Sequence, residues 1–151
     1  MMNLFVVVGA MLVASGANAA ISCSIAVTSG INFGGYNTLA TASNTAVGSL
    51  TVTCTGYSAV SSISVDLNKG SSGSYSTRTM KKGAVVLNYN IYFDALWLTI
   101  FGDGSAGTSH ATALPSATGG TVVVQMYGSI SPLQAVSVGL YQDSITATVN
   151  Y

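Results

Sequence analysis

Apolar and polar residues alternate strictly through much of this chain, and that pattern leaves room for little except β-structure. Cys23, Ile25 and Val27 alternate with Ser22, Ser24 and the small Ala26. Leu50, Val52 and Cys54 alternate with Ser49, Thr51, Thr53 and Thr55. The apolar series continues as Ile63, Val65, Leu67, then Leu87, Tyr89, Ile91, Phe93. It recurs as Val122, Val124, Met126, and last as Ile145, Ala147, Val149, Tyr151. Successive side chains of a strand point to opposite faces, so each segment offers one face to a core and one to water. Turn formers separate the segments: Asn37, Asn44, Gly70-Ser71-Ser72-Gly73, Gly102-Asp103-Gly104, Gly119-Gly120 and Pro132. No segment sustains a helical apolar stripe. An all-β, two-layer sandwich is the expected architecture.

Whether that sandwich closes on itself is left open by the pattern. An immunoglobulin-type sandwich uses about seven strands. The last alternating segment here runs to Tyr151. Either a short strand near Ile31-Asn32-Phe33 or Trp97–Phe101 completes the fold, or a groove between two sheet edges stays open for another chain.

Charge narrows the function. Only 5% of the 151 residues are charged, and four Lys/Arg balance four acidic residues. No basic surface exists to neutralise nucleic-acid phosphates. Disordered chains and helical bundles are equally excluded by composition. Arg78, Lys81 and Lys82 form the main basic cluster and read as a solvated loop. Catalysis has no support: there is one His, no nucleophile triad can be assembled, and no carboxylates are paired for acid–base work. No metal or cofactor site is expected either. Cys23, Cys54 and His110 fall short of a four-ligand zinc set, and Asp94 and Asp103 lack EF-hand spacing. Trp97, among Leu96, Leu98, Ile100 and Phe101, reads as core, with an exposed adhesive loop as the other reading.

The N-terminus reads as an address. Leu4–Ala14 is an apolar run, followed by the small-x-small site Ala17-Asn18-Ala19. Residues 1–19 are thus expected to be a signal peptide and residues 20–151 the mature domain. The run is shorter than the roughly 20 residues a membrane span needs, so no stable membrane insertion is expected. Its n-region, Met1-Met2-Asn3, lacks Lys and Arg, which leaves open that the run is a buried strand or helix of the domain, or a donor segment. Export would oxidise Cys23 and Cys54, and their pairing would staple two strands.

The chain from Cys23 to Tyr151 resembles the spore coat protein U domain family, the subunits of archaic chaperone–usher pili. The resemblance rests on Cys23, Phe33-Gly34-Gly35-Tyr36, and Gly48 leading to Val52-Thr53-Cys54-Thr55. Leu67 with Gly70, Arg78-Thr79-Met80, and Leu87-Asn88-Tyr89-Asn90-Ile91-Tyr92 with Asp94 follow. Then come Gly102-Asp103-Gly104, Tyr127-Gly128-Ser129-Ile130, and Gly139-Leu140-Tyr141-Gln142-Asp143-Ser144-Ile145 with Thr148-Val149-Asn150-Tyr151. It implies an incomplete immunoglobulin-like, pilin-type sandwich completed by a donor strand from a partner. It also implies a periplasmic pilus chaperone, an outer-membrane usher and neighbouring pilus subunits as partners, with a path through the periplasm to the cell surface. The groove would lie between the first strand (Ile25, Val27) and the last (Ile145, Ala147, Val149). The terminal carboxylate of Tyr151 would be a handle for a basic site in the chaperone, and Cys23–Cys54 would be the disulfide.

One departure matters. A polymerising subunit of that family carries roughly ten residues ahead of its first cysteine, since a donor must span a strand's length. Cleavage after Ala19 leaves only Ala20, Ile21 and Ser22. Such a chain would accept a strand without donating one, which suits a fibre tip. The alternative function is a self-complete, secreted, carbohydrate-binding β-sandwich.

Overall fold

The computed structural model describes residues 3–8, 21–56, 63–113 and 120–151. Its strands are β1 (Asn3–Val8), β2 (Ser22–Ser29), β3 (Asn44–Thr55), β4 (Ile63–Leu67) and β5 (Arg78–Lys82). They continue as β6 (Val85–Tyr92), β7 (Ala111–Ala113), β8 (Gly120–Ile130) and β9 (Gln142–Asn150). Among the described residues the one helical element is a 3-10 turn at Gly70–Ser72.

The strand order is β2-β3-β8-β6-β5-β9-β4-β7, with β1 added to β9. Every strand pair is antiparallel except β1 with β9. Among the described residues, Lys81 opposite Gln142 is the sole pair joining the β2-to-β5 run to the β9-β4-β7 run. Inward residues of both runs, such as Leu50, Met126 and Leu87 from one and Val65, Leu67 and Ile145 from the other, meet in a single core. The two runs are therefore the layers of a sandwich.

All six alternating segments are strands, and their buried faces follow the expected phase at Cys23, Leu50, Val65, Leu87, Met126 and Ile145. Val27 departs from it. The β2–β3 register shifts between Val27 and Ser29, and Val27 is 37% exposed. Asn44, expected in a turn, instead opens β3, and its side-chain amide donates to the carbonyls of Phe33 and Gly35. The segment Ile31–Phe33 lays two core side chains across glycines of β3 and β8. A Cβ on Gly48 would sit 2.8 Å from Ile31 Cγ1, and one on Gly128 would sit 2.6 Å from Phe33 Cζ. Close approach, not turn geometry, is why those two positions hold Gly.

Cys23 and Cys54 lie opposite one another across β2 and β3 and form a disulfide, with their Cα atoms 4.1 Å apart. The bridge closes a loop with a sequence separation of 31. Chain-entropy arguments value such a closure at about 3–4 kcal/mol. Cys54→Ala is expected to lower the unfolding free energy by about 2–5 kcal/mol. Urea denaturation of the oxidised parent and the variant measures it, and equal midpoints would refute the assignment of a stabilising role.

Candidate strand-accepting edge

β9 alternates Asp143, Ile145, Ala147 and Val149 toward the core with Ser144, Thr146, Thr148 and Asn150 outward. Its C-terminal half pairs with β4, Val65 opposite Val149 and Leu67 opposite Ala147. Asn68 N–H donates to the Thr146 carbonyl, and the Asn68 side-chain oxygen accepts from Thr146 N–H, so the same edge is held just past β4. Along residues 142–147, β9 also takes β1, in parallel, from Asn3 opposite Gln142 to Val8 opposite Ala147. β2 ends the strand order and pairs with β3. It also approaches both β9 and β1. β1 thus lies along the 142–147 edge of β9 and near β2.

The residues expected to line a groove take different positions in the fold. Ile25, Ile145, Ala147 and Val149 are buried, Val27 is exposed, and Tyr151 packs partly buried against the core. The residues paired along β9, Asn3–Val8, belong to the segment read from the sequence as part of a leader.

The family model of the Spore Coat Protein U domain matches residues 8–148. The chain belongs to the Spore Coat Protein U domain family. Among solved structures, it is similar to a chain in the crystal structure of a chaperone–tip adhesion subunit pre-assembly complex from archaic chaperone–usher Csu pili of Acinetobacter baumannii. That match has 19% sequence identity and a TM-score of 0.55, and it covers 87% of this chain and 40% of that one. At this identity the likeness is one of fold. No curated protein matches the chain.

This Spore Coat Protein U domain anchors β9 through a buried polar layer that alternation alone did not reveal. Asp143 is 3% exposed. It accepts hydrogen bonds from Ser71 N–H at 2.9 Å, Tyr89 Oη at 2.7 Å and Ser144 N–H at 2.9 Å, and from the Ser71 hydroxyl. Gly70 lies directly against it, at φ +61, where a Cβ would collide with the carboxylate. Burial, reinforced by the Asp143 charge and hydrogen bond, pushes the Tyr89 phenol far above its ordinary range. Tyr89 therefore stays a neutral donor.

Arg78, expected in a solvated loop, is fully buried on β5 instead. Its Nε and Nη2 donate to the Asn68 carbonyl at 3.1 and 2.8 Å, Nη2 to the Phe101 carbonyl at 2.7 Å, and Nη1 to Asn90 Oδ1 at 2.7 Å. Its guanidinium also lies 5.3 Å from the Tyr75 ring centroid. Burial lowers the Arg78 pKa from its ordinary value, while Tyr89, Tyr75 and Asp143 nearby favour the charged form. The clue in the sequence was the spacing Arg78, Met80, Lys82, a period-two series whose first member is charged. Lys81 and Lys82, by contrast, keep solvent contact.

Proposed function

We propose that this chain is an exported structural or adhesive subunit of a chaperone–usher surface pilus or coat, completed by a strand from another chain. The observation that carries the reading is the parallel seating of Asn3–Val8 along residues 142–147 of β9. If residues 1–19 are a leader and are removed, that stretch of β9 loses its β1 partner beside a core of Ile145 and Ala147. A bare edge over apolar side chains invites strand addition, in which backbone hydrogen bonds give affinity and alternate side-chain pockets give register. The likeness in fold to a chain from a chaperone–subunit complex supports a periplasmic pilus chaperone as the first occupant. Neighbouring subunits and an outer-membrane usher would follow. A chain cleaved after Ala19 would accept a strand and have little to donate, which would suit a fibre tip.

Periplasmic expression of residues 20–151 with and without the cognate chaperone tests this. The expected result is low, aggregated yield alone and a soluble one-to-one complex on co-expression. A soluble monomer that ignores the chaperone and binds glycans would replace this reading with the carbohydrate-binding one.

A further inference from the structure

Trp97 sits where a core residue was expected, but the structure turns it outward. It occupies the tip of a hairpin whose arms are residues 91–93 and 99–101. Phe93 N–H donates to the Thr99 carbonyl at 2.9 Å and Phe101 N–H to the Ile91 carbonyl at 2.9 Å. Leu96, Trp97 and Leu98 are 72%, 42% and 77% exposed. Phe93, itself part exposed, packs edge-to-face on the buried Phe101 with ring centroids 6.0 Å apart, fixing the base of the hairpin. Three consecutive large apolar side chains in water are unusual enough to need a reason.

The tip is built to hold them there. Asp94 Oδ1 accepts from Leu96 N–H at 2.9 Å and Leu98 N–H at 3.2 Å, and Oδ2 accepts from Thr99 N–H at 2.7 Å. Trp97 N–H donates to the Asp94 carbonyl at 3.2 Å. These bonds, that from Thr99 foremost, hold the Asp94 carboxyl below its ordinary range, so it stays ionised and keeps accepting. Trp97 adopts φ +55, a left-handed conformation that a bulky residue takes only when its surroundings impose it.

This construction selects the occupant. The backbone N–H groups of residues 93 and 96 to 99 are all satisfied within the hairpin, so the tip offers those donors to no added strand. A convex tip cannot enclose a small ligand. No Lys or Arg follows Lys82 in the chain, so the loop carries no cation for an anionic headgroup. A low-dielectric phase penalises unsatisfied backbone polar groups, and the N–H groups of residues 96 to 99 at this tip already have internal partners. Trp with flanking Leu suits the boundary between headgroups and acyl chains, where an indole is apolar on its body and wet at its N–H. We infer that the 94–98 hairpin tip is a peripheral lipid-binding element that seats Leu96, Trp97 and Leu98 shallowly in an electrically neutral bilayer surface.

Trp97 is the only tryptophan in the chain, so it reports on itself. The full chain is titrated with phosphatidylcholine vesicles, with and without acyl-brominated lipid. The expected result is a blue shift of Trp97 emission and quenching by the brominated chains. A Leu96→Ser, Leu98→Ser double variant should weaken partitioning by about tenfold or more, since buried leucine side chains drive it. The N-terminal apolar run is present in both proteins, so the difference between them reads the hairpin alone. Both substituted positions are exposed, and an unchanged circular dichroism melt verifies the fold. The quenching arm needs no variant. An unshifted, unquenched Trp97, equal partitioning of parent and variant, or binding only to anionic vesicles would each overturn the inference. None of these outcomes involves a chaperone or a donor strand, so this inference and the proposed function fail separately.

Discussion

Replacing Arg78 with methionine is expected to cost on the order of 3 kcal/mol of folding stability. The side chain is fully buried and donates to two backbone carbonyls and to Asn90 Oδ1. Methionine fills much of the volume but leaves the Asn68 and Phe101 carbonyls without the donor they had, at about 1–3 kcal/mol each, while Asn90 Oδ1 keeps the Ile91 N–H. Relief from burying a charge offsets part of that sum. A loss of this size is a large share of a domain's usual margin of about 5–15 kcal/mol. Arg78→Lys should recover little, because an ammonium cannot reproduce the planar fork that reaches Asn68, Phe101 and Asn90 together. Urea midpoints of the two variants decide it. A drop below about 1 kcal/mol for methionine would mean that the carbonyls find other partners.

Arg78 also marks where the sequence stopped being legible. Strands β2, β3, β4, β6, β8 and β9 show themselves because one face is apolar and the other is Ser, Thr or Asn. β5 hides because its inward position carries a guanidinium, whose polar partners are supplied by distant carbonyls. β7, Ala111–Ala113, is too short to establish a period. The Ile31–Phe33 packing is equally opaque in one dimension, since the recess that receives it comes from Gly48 and Gly128 on two different strands.

Residues 95–101 illustrate a second limit. An apolar run without clean alternation fits core and exposed loop alike. What decides it is Asp94 folding back onto the N–H groups of Leu96, Leu98 and Thr99, a contact set that only three-dimensional geometry displays. The edge proposed for docking was half legible. Alternation marks Ile145, Ala147 and Val149 as inward, and the family resemblance pointed to a groove beside them. Which edge of β9 takes which strand is pairing information, and local pattern does not carry it. Nor did the sequence indicate that Asn3–Val8 would lie along that edge.

The larger consequence follows from that seating. A chain beginning at Ala20 lacks the strand that lies along residues 142–147 of β9. It should be marginal alone and should respond strongly to a strand supplied in trans. A donor binding only the folded state stabilises it by RT ln(1 + [L]/Kd), about 4 kcal/mol at a thousandfold excess over Kd. For a domain of this size that corresponds to a rise on the order of 10–20 °C in thermal midpoint. The register should be specific, because sliding a strand by one residue exchanges its inward and outward faces.

Thermal unfolding of residues 20–151, with and without a synthetic strand of about ten residues, tests this most directly. The strand is taken from a neighbouring subunit's N-terminus, and the control replaces its alternate apolar residues with serine. The expected result is a broad or aggregating transition alone, a midpoint raised by on the order of 10–20 °C with the donor, and no rise with the control. A monomeric protein that melts cooperatively and is indifferent to both peptides would contradict it, because the sandwich would then be complete without a partner.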